Sequence, residues 1–265
     1  MVAVKHDKSR GILRARAAEG LTRYWPSRDL APFVEHFWIV RWNLAEPMTA
    51  ETLPHPSVHM VLEKSHSEIV GVMRGRFTRT LEGAGRVIGT KFRPGAFRAF
   101  VDRPVVSLSD RRWTLREVFG ARADRFDVPD NMHDDDQMAI AVIEAFLRSF
   151  QPSLDDDAEL AGCITARIAE DRRVTRVEHL VESFGITSRR MQRLFREYVG
   201  VTPKWVIQRY RLIEAAERIA AGKTSDFAPL AHDLGYADQA HFIRDFKKLV
   251  GRPPAGYARA ISQEN

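Results

Sequence analysis

What most constrains this chain is a plan used twice near its C-terminal end. Residues 177–196 and 227–248 each read as a short apolar helix, a glycine-bearing turn and a second, amphipathic helix. Gly185 and Gly235 supply the left-handed backbone that lets the chain turn sharply after the first helix. Thr187 or Ser188 in one tract, and Asp238 in the other, stand where an N-cap is needed. In the second helices, Met191, Leu194 and Phe195, and Phe242, Phe246 and Leu249, recur as inward stripes. The opposite faces carry Arg189, Gln192, Arg193 and Arg196 in one, and Gln239, Arg244, Lys247 and Lys248 in the other. Long donors near a helix N-terminus are what major-groove readout requires, because Arg pairs bidentately with guanine and Gln with adenine. Basic residues further along suit phosphate.

Charge points the same way. Residues 1–160 hold 23 Lys and Arg against 23 Asp and Glu, whereas residues 161–265 hold 18 against 12. The whole net charge of +6 therefore lies in the part that carries the repeated plan, as expected of a surface that meets a polyanion.

The front of the chain is of another kind. Short β-branched or aromatic runs at 37–42, 58–62, 68–73 and 86–92, broken by Pro and Gly, predict a small barrel or sandwich. A short helix over 114–120 ends at glycine. The acidic triplets Asp134–Asp136 and Asp155–Asp157 sit before helical segments, where negative charge is favourable, so neither is needed as a metal site. The first of these segments, Met138 to Phe150, shows Met138, Val142, Ala145 and Phe146 at helical spacing. The fold class expected is α+β: an N-terminal β-barrel or sandwich-like domain with helices, then an all-α domain with two helix-turn-helix units. Residues 1–20 are expected to be a flexible arm, 21–155 an effector-sensing or dimerisation domain, and 156–262 the DNA-binding domain.

From about 160 to 262 the chain resembles the DNA-binding domain of the AraC/XylS family of regulators. The resemblance is carried by Ser188 through Arg196, by Gly200-Val201-Thr202-Pro203 entering a long helix from Trp205 to Ala221, by Leu234 through Lys247, and by Gly251-Arg252-Pro253-Pro254 with Tyr257. It implies seven helices, with the long one joining two units whose recognition helices enter successive major grooves. The DNA-binding set implied is Ser188, Arg189, Arg190, Gln192, Arg193 and Arg196 in the first unit. In the second it is Asp238, Gln239, Ala240, Arg244, Lys247 and Lys248. Ala240 and Asp245 offer little attraction to DNA, which makes the second unit the poorer reader. The stretch from Pro54 to Pro94, with residues 88–96 most clearly, resembles sensory domains that precede this DNA-binding domain in some members. That implies effector sensing or dimerisation and names no ligand.

Other features read as structural. Cys163 is the single cysteine, so it forms no internal disulfide and no multi-cysteine zinc site; its apolar surroundings predict a buried small hydrophobe. His55, His59 and His66 lack metal-site spacing. Trp25, Phe33, Phe37, Trp38 and Trp42 are core or, alternatively, line an effector pocket. The basic run of Arg74, Arg76, Arg79, Arg86, Lys91, Arg93 and Arg98 reads as a solvated face or an anion site. No nucleophile elbow, phosphate-binding loop or zinc-hydrolase motif is present, and no run of about 18 apolar residues. The chain is thus expected to be a cytoplasmic, non-enzymatic transcription regulator with no cofactor and no membrane contact. Its expected partners are double-stranded DNA, a small effector, a second copy of the chain, and RNA polymerase if it activates. The alternative is a repair-type enzyme fused to such a DNA-binding domain.

Overall fold

A computed structural model describes residues 20–63, 66–126, 135–222 and 226–264. The arm expected over 1–20 falls, apart from Gly20, outside the described residues, as does Asp134.

The front half is a six-stranded antiparallel sheet in the order β1-β2-β7-β4-β5-β8. The strands are β1 Leu21–Tyr24, β2 Val34–Asn43, β4 His59–Glu63, β5 Ser67–Val70, β7 Ala84–Phe92 and β8 Arg112–Thr114. Alternation sends Phe37, Ile39, Met60, Leu62, Ile88 and Phe92 to one face, where they are fully buried. The register fixes this, setting Ile39 and Leu62 on either side of Ile88. Short 3-10 turns at Phe97–Phe100 and Val105–Leu108 pack on that face. So do the helices α1, Leu115–Phe119, and α2, Asp136–Arg148. The four-phenylalanine contact of Phe33, Phe92, Phe97 and Phe100 seals the seam.

The sheet is not closed into a barrel. Strands β3, Met48–Thr52, and β6, Phe77–Leu81, form a separate two-stranded ribbon that prolongs the β2–β7 pair beyond a corner at Leu44 and Gly83. Arg79 of the ribbon returns to the sheet, donating from Nη2 to Glu63 Oε2 at 2.6 Å. These ribbon strands escaped the sequence reading because, apart from the buried Leu81, their residues are half-buried or exposed, without a clean apolar alternation.

Three expectations are corrected. Helix α2 does not bury Met138, which is 38% exposed, or Ala145; its inward stripe is Ala139, Ile140, Ile143, Phe146 and Leu147. Asp135, accepting from Gln137 N and Met138 N, is its N-cap and sets that phase. Cys163 is exposed, because it falls on the outer side of α3, Asp156–Glu170, between the buried Ala161 and Ile164. Of the aromatics weighed as core or pocket, Phe33 and Phe37 are core, while Trp38 and Trp42 lie half-buried on the sheet's second face.

The back half is helical. After α3 come α4 Val177–Phe184, α5 Ser188–Leu194, α6 Pro203–Ala220, α7 Phe227–Asp233, α8 Gln239–Val250 and α9 Pro254–Glu264, so the seven expected helices are all present. Among the described residues, no helix is long and apolar enough to cross a membrane.

Candidate nucleic-acid interface

Each unit is built from its turn outward. Helix α4 buries Leu180 and stops at Gly185, whose φ of 61° is the left-handed C-cap the sequence called for. The chain re-enters helix through Thr187, which accepts from Arg190 N at 3.2 Å. Met191, Leu194 and Phe195 then point into the core, and the helix runs on as a π turn, Phe195–Val199. The outward side keeps Ser188, Arg189, Gln192, Arg193 and Arg196 exposed, all on one stripe. Arg190 leaves that stripe: its Nη2 donates to Asp157 Oδ1 of α3 at 3.0 Å. Thr187, Arg189, Arg190 and Arg193 line a shallow open pocket at the helix start. Thr187 was read as a cap alone; its place beside the arginines adds a hydroxyl donor to the surface.

The second unit follows the same logic. Asp226 caps α7, accepting from Ala228 N at 3.0 Å, and Gly235 turns the chain at a φ of 80°. Asp238 accepts from His241 N at 2.7 Å and starts α8. Phe242, Phe246 and Leu249 are buried, while Gln239, Ala240, Arg244, Lys247 and Lys248 are exposed with Asp238 at the helix mouth. Asp245, read as offering little attraction to DNA, is half-buried, with Oδ2 3.5 Å from His241 Nε2, and His241 packs edge-on to Tyr236 at 5.2 Å. Among the described residues no side-chain hydrogen bond or ion pair holds Arg189, Gln192, Arg193, Arg196, Arg244, Lys247 or Lys248. Their donors face solvent, as a surface waiting for an anionic partner requires.

Helix α6 joins the units. Thr202 caps it, and Pro203 opens it at a position that needs no N–H. Its buried Arg211 donates to the carbonyls of Ile168, Asp171 and Val174, where α3 ends and the next loop begins, and to Glu214 Oε2 at 2.9 Å. Glu214 in turn meets Arg172 at 3.2 Å. This buried pair locks α3 onto α6, so the first unit is one packed body.

In the front half, as elsewhere among the described residues, no three His, Cys, Asp or Glu side chains could share a metal. His59 Nδ1 instead accepts from Trp38 Nε1 at 3.2 Å, and His55 meets Tyr210 edge-on at 5.7 Å. His36, Lys91 and His59 are cross-strand neighbours on β2, β7 and β4, on the face with Trp38. Lys91 Nζ pairs with Glu35 Oε1 at 2.9 Å. Burial pushes His36 and His59 down to about 3, and Lys91 beside them acts in the same direction. Both imidazoles are neutral at physiological pH. Of the basic run, Arg79, Arg86 and Arg98 pair with Glu63, Asp136 and Glu197, so much of it is internal bracing.

Comparison with known proteins divides along the same line. Residues 180–260 match the family described as "Helix-turn-helix domain", and residues 22–114 match a "Domain of unknown function". The HTH-type transcriptional activator RhaS of Pectobacterium atrosepticum is 31% identical over 86 residues, 32% of this chain and 30% of that protein. A putative AraC-like transcription regulator of Streptomyces lividans is 25% identical over 103 residues, 39% of this chain and 34% of that protein. The chain therefore spans about a third of the length of these curated relatives. Among solved structures, ToxT from Vibrio cholerae O395 aligns over 88% of this chain and 99% of its own, at 13% identity and a TM-score of 0.41. At that distance nothing further about this chain follows from it.

Proposed function

We propose that this chain, whose C-terminal domain is a helix-turn-helix domain of the AraC type, is a sequence-specific DNA-binding transcription regulator. One observation carries the reading: two capped helices expose unpaired Arg, Lys and Gln donors, and a single helix joins them. At 18 residues, α6 is about 27 Å long, of the same order as the roughly 34 Å between successive major grooves on one DNA face. In the first unit Arg189, Gln192 and Arg193 read bases, and Arg196 holds phosphate. In the second, Gln239 and Arg244 read, and Lys247 and Lys248 hold phosphate, with Ser188, Asp238 and Ala240 at the helix mouths.

The domain organisation in this reading is an arm over 1–20, an effector-sensing domain over 21–155 and a DNA-binding domain over 156–262, acting in the cytoplasm. The effector surface is the second face of the sheet, where half-buried Trp38, Val40 and Trp42 lie beside His36, His59 and the Lys91–Glu35 pair. An apolar wall ending in ionisable groups suits a small amphipathic molecule. A second copy of the chain, and RNA polymerase for an activator, complete the partners. The fused-enzyme alternative has no support from relatives, which are named as regulators, and a lone cysteine cannot serve both as methyl acceptor and as a multi-cysteine zinc site.

The test is selection of duplexes from a random library by the full chain. Enrichment of one bipartite site, with affinity falling steeply as salt rises, is expected; recovery of unrelated sequences overturns the reading. On the selected site Arg193→Ala should cost about 1–3 kcal/mol at one base pair and relax preference there, whereas an equal loss on all DNA reassigns Arg193 to phosphate.

A further inference from the structure

The two helix-turn-helix units are attached to the front half in different ways. The first unit shares its apolar core: Phe195, Val199 and Val201 are buried in one cluster with Val105, Leu108 and the sheet residues. Ser109 Oγ donates to Gly200 O at 2.6 Å, and Arg98 Nε meets Glu197 Oε1 at 2.8 Å. The second unit has its own core, built by the C-terminal half of α6 with α7, α8 and α9. Among the described residues, one buried side chain from the front half enters that core, Leu53, at 1% exposure.

Leu53 directly follows β3, at the open end of the β3–β6 ribbon, and two loops leave the ribbon there. Both grip the DNA-binding half. From the first loop, Leu53 enters the second unit's core, and Pro54 O accepts from Arg209 Nη1 at 3.1 Å. From the second, Arg74 O accepts from Arg209 Nη2 at 2.6 Å. Arg209, on α6, is 3% exposed, lies 4.5 Å over the Trp205 ring, and is satisfied mainly by main-chain carbonyls of the front half. Arg76, the residue before β6, donates from Nη1 to Val250 O at 3.2 Å and to Glu51 Oε1 at 3.2 Å. Val250 ends α8, so a cation from the front half caps the second recognition helix at its negative pole. Gly251 makes room for this, since a Cβ there would lie 2.4 Å from the Arg76 guanidinium.

A unit with a separate core, joined by one helix, the contact of Gly235 with Thr175, the single apolar plug Leu53 and a set of polar contacts, can pivot where a unit fused into a shared core cannot. We propose that the loops at the open end of the β3–β6 ribbon are an orienting clamp: through Leu53, Arg76 and the Arg209 carbonyl contacts they fix the second helix-turn-helix unit relative to the first. The front half thereby sets the half-site spacing the chain accepts. The ribbon also returns to the sheet through Arg79 and Glu63, beside Trp42. A change at that sheet face has a path to α8 through the Arg79–Glu63 pair, the chain from Arg79 to Arg76, and the Arg76 bond to Val250 O. The spacing part of the proposal rests on the DNA-binding reading; the clamp itself does not.

The experiment uses the full chain with Arg76→Ala and, separately, Leu53→Ala, Arg76 being partly exposed and so the milder change for folding. Duplexes selected by the unaltered chain are rebuilt with one or two base pairs inserted between half-sites. The unaltered chain should lose about tenfold or more in affinity on insertion, and the two variants much less, with binding to the first half-site alone unchanged. An unaltered spacing preference in both variants overturns the proposal. If the unaltered chain selects no duplex, the DNA reading fails and hydrogen exchange decides the clamp. Faster exchange over α7 and α8, with α4 and α5 unchanged, supports it; unchanged exchange throughout overturns it.

Discussion

Two arginines on α6, two residues apart, resolve the same difficulty by different means, and their substitutions should differ accordingly. Arg211 is 2% exposed, and its charge is balanced by Glu214 while its remaining donors cap carbonyls at and just beyond the end of α3. Arg211→Met removes those bonds at nearly constant volume and leaves Glu214, 4% exposed, to Arg172 and Arg218. Because those two partners remain, the loss should fall at the low end for a broken buried pair, about 3 kcal/mol, read as a lower urea midpoint with the slope unchanged. Among the described residues Arg209 has no carboxylate in hydrogen-bond contact, and burial pushes it down to about 10. A like contrast holds on the DNA face. Arg190, held by Asp157, should when changed to alanine weaken binding by less than Arg193→Ala and without altering base preference, measured on the selected site and its single-base variants.

At the scale of elements, the two turns look alike in sequence and are unlike in space. Gly185 has a φ of 61° with open space where a Cβ would stand, so Gly185→Ala meets only the left-handed penalty, about 1–2 kcal/mol. Gly235 has a φ of 80°, and a Cβ there would lie 2.5 Å from Thr175 Cβ. Gly235→Ala should therefore cost clearly more in thermal or urea unfolding, and Thr175→Gly in the same chain should recover part of the excess; equal costs for the two alanines would refute the difference. The helices were readable because a 3.6-residue stripe, a cap and a glycine agree at each, as at Thr187, Met191, Leu194 and Gly185. The sheet's long strands were readable from Phe37 to Trp42 and from Arg86 to Phe92. Strands β1, β3, β6 and β8 were not, since they are at most five residues long and largely half-exposed, so that pairing rather than composition defines them. In the candidate interface the exposed stripes were legible, whereas the Arg190 contact was not, because its partner Asp157 is brought there by packing; Asp245 faces His241 one turn earlier on the same helix, a spacing the sequence does carry. The Leu53 and Arg76 contacts carry no local signal at all.

For the molecule as a whole, the sheet's buried imidazoles predict how it responds to acid. His36 and His59 are pushed down to about 3 by burial, with Lys91 adjacent. In an unfolded chain each would titrate near 6.5. Between those values the unfolded chain binds protons that the folded chain refuses, so stability rises with pH through this window and is lost on acidification. At pH 5.5 each histidine should cost about 1.4 kcal/mol relative to neutral pH, or about 3 kcal/mol for the two. The carboxylates held low by arginines, such as Asp136 beside Arg41 and Arg86, lose their stabilising contribution only as pH falls below the unfolded carboxylate range of about 4. A drop from pH 7.5 to 5.5 therefore isolates the histidines. Urea midpoints of the full chain should fall over that interval. In the double variant His36→Gln, His59→Asn, which keeps an acceptor for Trp38 Nε1, they should stay nearly level. A fall of the same size in both chains would place the acid sensitivity elsewhere. Because β2, β7 and β4 carry these groups while the adjoining ribbon holds the second unit, the same acid interval should broaden half-site spacing tolerance in the unaltered chain before it unfolds, and leave the double variant as selective as at neutral pH.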